Sequence, residues 1–203
     1  AGLMAIVSVV WSLISLAVGD RMVPAMAGAK PIEKADAPQL HNVVEEMSIA
    51  AGVPMPKVMV LEADALNAFA TGNKVGSGTI AVTRGLLEKL NRDELQGVVA
   101  HEMAHLANLD TRYMVVVGVT VGLIALVCDM ALRTLNWGSV QRRSVRKGSS
   151  GGGILLVVLL VVAILPPVAA KAVQMAVSRQ RKYLADATSV QFTRNPTGLI
   201  SAL

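Results

Sequence analysis

Apolar residues in this chain fall into two regimes. Three long stretches carry almost no charge, and between the first two lies a segment of mixed, periodic sequence. Residues 1–18 contain no charged residue, 113–130 only Asp129, and 154–170 none. Each is close to the length that spans a hydrocarbon core. The third continues more weakly to residue 177, and Pro166-Pro167 is expected to kink or end its first part. Taken singly, each stretch would also suit a buried core helix. Three together predict membrane helices: one at 1–18, and a hairpin at 113–177 whose turn is a flexible basic loop at 131–153.

The mixed segment, 19–112, has the periodicities of a compact α+β domain. Leu40, Val43, Val44, Met47 and Ala51 repeat at helical spacing over residues 38–51, and Gly52 ends the run. KVMVL at 57–61 and TIAVT at 79–83 read as strands, and the Gly76-Ser77-Gly78 turn allows the second to be an edge strand or hairpin arm. Residues 63–78 are rich in turn formers. A short helix is expected at 85–90. Asn91 then has the position of an N-cap, with Glu94 at capping-box spacing, so a helix should run from Arg92 to about Leu109.

Composition sharpens this division. The chain has 203 residues, 53% hydrophobic and 16% charged, well below the roughly 25% charge of soluble domains. Aromatics at 3% give no stacking platform for single-stranded nucleic acid. The net charge of +5 is unevenly placed. Segment 19–112 holds 9 basic and 12 acidic residues, whereas 131–153 holds Arg133, Arg142, Arg143, Arg146 and Lys147 and no acid. That loop is expected to meet anionic lipid headgroups, not nucleic acid. A single cysteine, Cys128, leaves no internal disulfide and no cysteine-built zinc module.

The predicted helix at 92–110 contains His101-Glu102-Met103-Ala104-His105, an H-E-x-x-H motif. Histidines four apart stack on one helical face, so both rings can reach one metal ion. Zinc suits two neutral imidazoles with a carboxylate and water, and Glu102 is placed to take a proton from that water. The bland alternative is an amphipathic helix that happens to carry two histidines. The remaining histidine, His41, reads as ordinary surface.

RDELQGVVAHEMAHLANLD (92–110), NAFATG (67–72), AVTRGLLEKL (81–90) and SRQRKYLADATSVQF (178–192) together resemble the HtpX-like membrane zinc metallopeptidases, relatives of the CAAX prenyl proteases. The resemblance covers nearly the whole chain. It implies a zincin-like fold fused to transmembrane helices and one catalytic Zn2+ held by His101 and His105. The third ligand would be a glutamate on the helix of 178–203, in an E-x-x-x-D pattern. In this chain the glutamate position is Lys182, a cation with no acceptor. Four residues on, Asp186 matches the pattern's aspartate, which orients a zinc histidine. Three outcomes are open: a site that is inactive or poor in metal, Asp186 standing in as ligand, or a lysine that is not native.

The resemblance further implies an endopeptidase acting on unfolded or damaged membrane proteins, multi-pass in the bacterial inner membrane, with its active site facing the cytoplasm. Peptide is expected to add as a strand, with Gly78, Thr79 and Ile80 on the candidate edge and Asn67, Ala68 and Phe69 on the lip. Tyr183 and Arg194 are the candidate oxyanion groups. Position 182 and His101 can share a site only if the chain between crosses the membrane an even number of times, as the hairpin provides. The basic loop by itself would prefer the cytoplasm, which opposes the implied orientation. A pseudopeptidase, binding chains without cleaving them, is the competing reading; a helical membrane protein with a fortuitous motif is the third.

Overall fold

The computed structural model describes residue 10 and residues 22–74, 76–142 and 152–202. The expected helix at 1–18 lies outside them, apart from Val10. Two compact units are present, one of Leu13–Val115 with Arg179–Leu203, the other of Ala1–Ser12 with Val116–Ser178.

The first unit contains a four-stranded sheet of order β1-β2-β4-β3. Its strands are β1 (Lys30–Pro31), β2 (Lys57–Leu61), β3 (Ala68–Thr71) and β4 (Thr79–Thr83). β2 and β4 lie where the apolar runs predicted them and pair in parallel, Val58 opposite Ile80 and Val60 opposite Val82. β1 and β3 flank them antiparallel. The expectation that 78–83 forms the edge is therefore corrected. β4 is paired on both sides and buried along its whole length, so Gly78, Thr79 and Ile80 cannot receive another strand there. The edge next to β4 is β3, within the stretch expected to be a lip.

Helix α1 (Pro38–Ala51) has the bounds its periodicity predicts, and buries Leu40, Val43, Val44 and Met47. Gly52 ends it in the left-handed region at φ 65°, where a side chain would add strain. His41 is half-buried and its Nε2 meets the Ile32 carbonyl at 2.8 Å, so it ties α1 to the segment after β1 and is not plain surface. After the short α2 (Arg84–Lys89) comes α3 (Arg92–Ala107). Its N-terminus closes as expected. Asn91 Oδ1 accepts from the N–H groups of Asp93 and Glu94, and Glu94 Oε2 accepts from the Asn91 N–H. Leu95, Val99 and Met103, four apart, turn into the core that α1, β2 and β4 complete.

Helix α4 (Asp110–Arg142) follows α3 after two residues, of which Leu109 is left-handed at φ 53°. Its stretch Asp110–Met130 has a mean hydropathy of 2.2 and is, among the described residues, the one helix long and apolar enough to cross a membrane. The helix does not stop at 130, as the expected loop would require. It continues to Arg142, with Arg133 paired to Asp129 at 2.6 Å, one turn apart. Residues 143–151 of that loop lie outside the described residues.

Helix α5 (Gly152–Thr193) runs without a break through Pro166 and Pro167. The prolines therefore do not end the helix: proline's fixed φ is itself helical, and each removes one hydrogen bond, which apolar helices tolerate. The break comes later, at Arg194 with φ 52°. The helix expected over 178–203 is thus the end of α5 plus a separate α6 (Pro196–Ala202). α6 crosses α3 at a glycine pair: a methyl on Gly97 would meet the Leu199 nitrogen at 2.5 Å, and one on Gly198 would meet the Asp93 carbonyl oxygen at 2.5 Å.

Candidate active site

Helix α3 presents two faces. Leu95, Val99 and Met103 hold it in the core, and this leaves Val98, His101, Glu102 and His105 on the side that meets β3 and α5. The two imidazoles converge as the spacing predicts. His101 Nε2 and His105 Nε2 are 3.2 Å apart, with the rings edge to face at 86°.

Each ring is backed by a carboxylate from another helix. Asp110 Oδ2, in the first turn of α4, lies 2.7 Å from His105 Nδ1. Asp186 Oδ1, on α5, lies 2.8 Å from His101 Nδ1. The second contact is close without being aligned as a hydrogen bond. Sequence reasoning anticipated Asp186 but missed Asp110. It becomes a partner of His105 only through the left-handed turn at Leu109, and the string N-L-D carries no sign of that turn.

The electrostatics suit a neutral His101 and a reluctant acid at Glu102. Burial, and then the charge of His105, hold His101 below the usual imidazole range; Asp186 opposes this and the Lys182 ammonium adds to it. Burial raises the Glu102 carboxyl to about 7, against the charge of His105 and a hydrogen bond from the backbone N–H of Ala70.

Whether these residues suit a metal can be tested on the donor set. If both Nδ1 atoms carry protons for their carboxylates, two Nε2 lone pairs face each other at 3.2 Å. That arrangement repels unless a cation or proton lies between. Two ligands of one tetrahedral zinc, at about 2.0–2.1 Å, stand roughly 3.3 Å apart. The histidine pair fits. The third position does not: Lys182 brings a positive charge, and no group of three metal-binding side chains exists among the described residues. Asp186 contacts His101 on the side of the ring away from Nε2.

The free edge of β3 runs beside Glu102. Asn67 and Thr83 form a hydrogen-bonded pair, since the Thr83 N–H donates to the Asn67 carbonyl at 3.0 Å. Antiparallel alternation then turns the backbone groups of Ala68 and Ala70 outward. The Ala70 N–H is the one that Glu102 takes. Thr83 Oγ1 donates to the Ala65 carbonyl and accepts the Asn67 N–H, which fixes the lip. A cavity of ≈ 250 Å³ opens between this lip and α3, with His101, Glu102 and Asp186 on its polar side and Leu86, Leu90, Val98 and Leu199 among its apolar walls. Phe69, Tyr183 and Arg194 do not line it, and Tyr183 is 65% exposed.

The family model for peptidase family M48 matches residues 34–203. The chain belongs to peptidase family M48. A protease HtpX homolog of Thermoanaerobacter pseudethanolicus is 43% identical over 201 residues, covering 99% of this chain and 67% of that protein. One from Listeria innocua is 49% identical over 208 aligned residues, covering 99% and 68%. In three dimensions the chain is similar to the crystal structure of S. mikatae Ste24p, with a TM-score of 0.62 at 22% identity. That match covers 92% of this chain, which spans about half of the Ste24p chain (47%). The expected HtpX-like resemblance and the Ste24-like zincin fold, helices around a small mixed sheet, are thus found. M48 peptidases are metalloproteases, so the H-E-x-x-H helix of this chain sits in the fold that such chemistry uses.

Proposed function

We propose that this chain carries the site of a membrane-bound, zinc-dependent endopeptidase, with its metal coordination compromised at Lys182. The observation that carries this reading is the Nε2 pair at 3.2 Å, each ring backed by a carboxylate. Bound zinc would polarise the scissile carbonyl and acidify the attacking water. The rest falls to the chain's own groups. A peptide laid along β3 pairs with the outward backbone of Ala68, which places its own backbone over α3. One apolar side chain enters the cavity between Leu86, Leu90, Val98 and Leu199. Glu102, poised near neutrality, takes the proton of the attacking water and passes it to the leaving amide nitrogen. Backbone pairing reads little sequence, which suits unfolded or damaged membrane proteins as substrates.

The apolar helix at 110–130, with the apolar sequence stretches at 154–177 and 1–18, supports the reading of a multi-pass bacterial inner-membrane protein with its site on the cytoplasmic face. The basic residues beyond Met130 would then lie on the far side.

Lys182 favours a second reading, a binding module that holds unfolded chains without cleaving them. The experiment that separates the two is zinc per chain in detergent-purified protein, for this chain and for Lys182→Glu. Zinc near one per chain only in the variant means a metallopeptidase site that Lys182 disables. Zinc in both means the two histidines suffice, and cleavage should be sought in the chain as it stands. Zinc in neither removes the metallopeptidase reading.

A further inference from the structure

We propose that Asp110 and Arg181 are positioning residues for His105: a relay that holds its Nδ1 proton and makes the ring's orientation depend on how α5 docks. The inference deepens the metallopeptidase reading and rests on it for the meaning of His105.

The Asp110 side chain is only 7% exposed. A carboxylate buried to that degree is costly unless its oxygens are satisfied. Here each oxygen has a donor. Oδ2 faces His105 Nδ1 at 2.7 Å, and Oδ1 receives Arg181 Nη1 at 2.9 Å. The arginine is fixed in turn, its guanidinium carbon 4.1 Å from the centroid of the Tyr113 ring, a cation–π contact. Tyr113 lies three residues after Asp110, on the same face of α4. The series Tyr113, Arg181, Asp110, His105 therefore leaves few free rotations.

Two consequences follow from the chemistry. A carboxylate on Nδ1 selects the tautomer whose Nε2 is a bare lone pair, the form a metal needs. Arg181 is also the residue before Lys182, and Ala185 and Ser189, one and two turns on, are buried. The segment that brings position 182 to the site is thus the one that immobilises the His105 carboxylate. Asp110 does not line the cavity, so its action runs through the ring. Asp186 meets the other ring, His101, from α5, the helix that also carries Arg181.

The test is 15N-histidine NMR on the full chain in detergent, with Zn2+ titration of the same samples. With three histidines in the chain, His41→Gln and His101→Gln complete the assignment. His105 is expected as the Nδ1–H tautomer in the parent. Asp110→Asn should give a mixture with Nε2–H, and bind Zn2+ about 10–100-fold more weakly. Arg181→Met should move the tautomer in the same direction, and Arg181→Lys should partly restore it. A His105 tautomer unchanged in both Asp110→Asn and Arg181→Met overturns the relay, whatever zinc does. If the parent and Lys182→Glu bind no Zn2+ but the tautomer responds, the relay stands and the metal reading fails. If Asp110→Asn does not fold, Arg181→Met, whose side chain is 26% exposed, decides alone by the same signal.

Discussion

Glu102 accepts the backbone N–H of Ala70, so the acid proposed to move the proton is tied to the strand proposed to hold the peptide. β3 is an edge strand, and Ala68, two residues before Ala70, turns its backbone the same way. Peptide pairing and the setting of Glu102 are therefore adjacent events on one four-residue strand.

Proline separates the two sides of that strand. Ala68→Pro removes an outward N–H and leaves the ladder to β4 intact. It should weaken binding of fluorescein-labelled casein about tenfold, the cost of roughly one hydrogen bond, with little change in Tm. Phe69→Pro removes a group that faces β4 and should lower Tm clearly. Equal loss of Tm in both variants would contradict the assigned register.

The raised Glu102 carboxyl makes a pH prediction with a definite sign. Folded, it holds its proton up to about 7; unfolded, it releases it near 4.5. The folded state therefore binds more protons across that window, and stability falls as pH rises through it. Glu102→Gln removes this contribution. In chelator, parent and variant should unfold alike near pH ~4.5, with the variant more stable by about 3 kcal/mol above pH ~7.5. His101, held low, contributes to both chains and drops out of the difference. Denaturant titration at the two pH values decides.

The cavity should set side-chain preference. In Lys182→Glu protein that cleaves a peptide library, apolar residues of leucine or phenylalanine size should be favoured next to the cut bond. Val98→Phe narrows the cavity and should reduce those cleavages about 10–100-fold relative to alanine. A preference unchanged by Val98→Phe would place the substrate side chain elsewhere.

Two substitutions probe how α3 is held. Asn91→Ala removes the side-chain acceptor of the Asp93 and Glu94 N–H groups, leaves the Asn91 N–H to Glu94, and should cost about 1 kcal/mol. Gly97→Ala drives a methyl against the Leu199 backbone and should cost more, about 1–3 kcal/mol, while loosening the α6 wall of the cavity. Tm in matched buffers tests both, and equal losses would mean that α6 yields easily.

Much of this architecture is local enough to be read from sequence. The Asn91–Glu94 cap, the bounds of α1, and the strands at 57–61 and 79–83 depend on neighbours within a few residues, and they stand where expected. The convergence of His101 and His105 follows from helical spacing alone. Strand order does not. β3 is A-F-A-T, short and only half-buried, and it is a strand because β4 pairs with it, so the sequence around it reads as turn. That placed the expected edge one strand too far in. Asp110 and Arg181 are 71 residues apart, and nothing in either neighbourhood signals the other. At Pro166-Pro167 the local rule for a helix end yields to a helix that absorbs two missing hydrogen bonds.

The two-residue turn at Asn108 and Leu109 also limits how the protein can be dissected. Asp110 is at once the first residue of the long apolar helix and the carboxylate on His105. A water-soluble fragment cut just before that helix would keep the whole H-E-x-x-H motif and yet lose what aims its second ring. The motif and the hydrophobic helix share a residue, so no cleavage point between them leaves the chemistry whole.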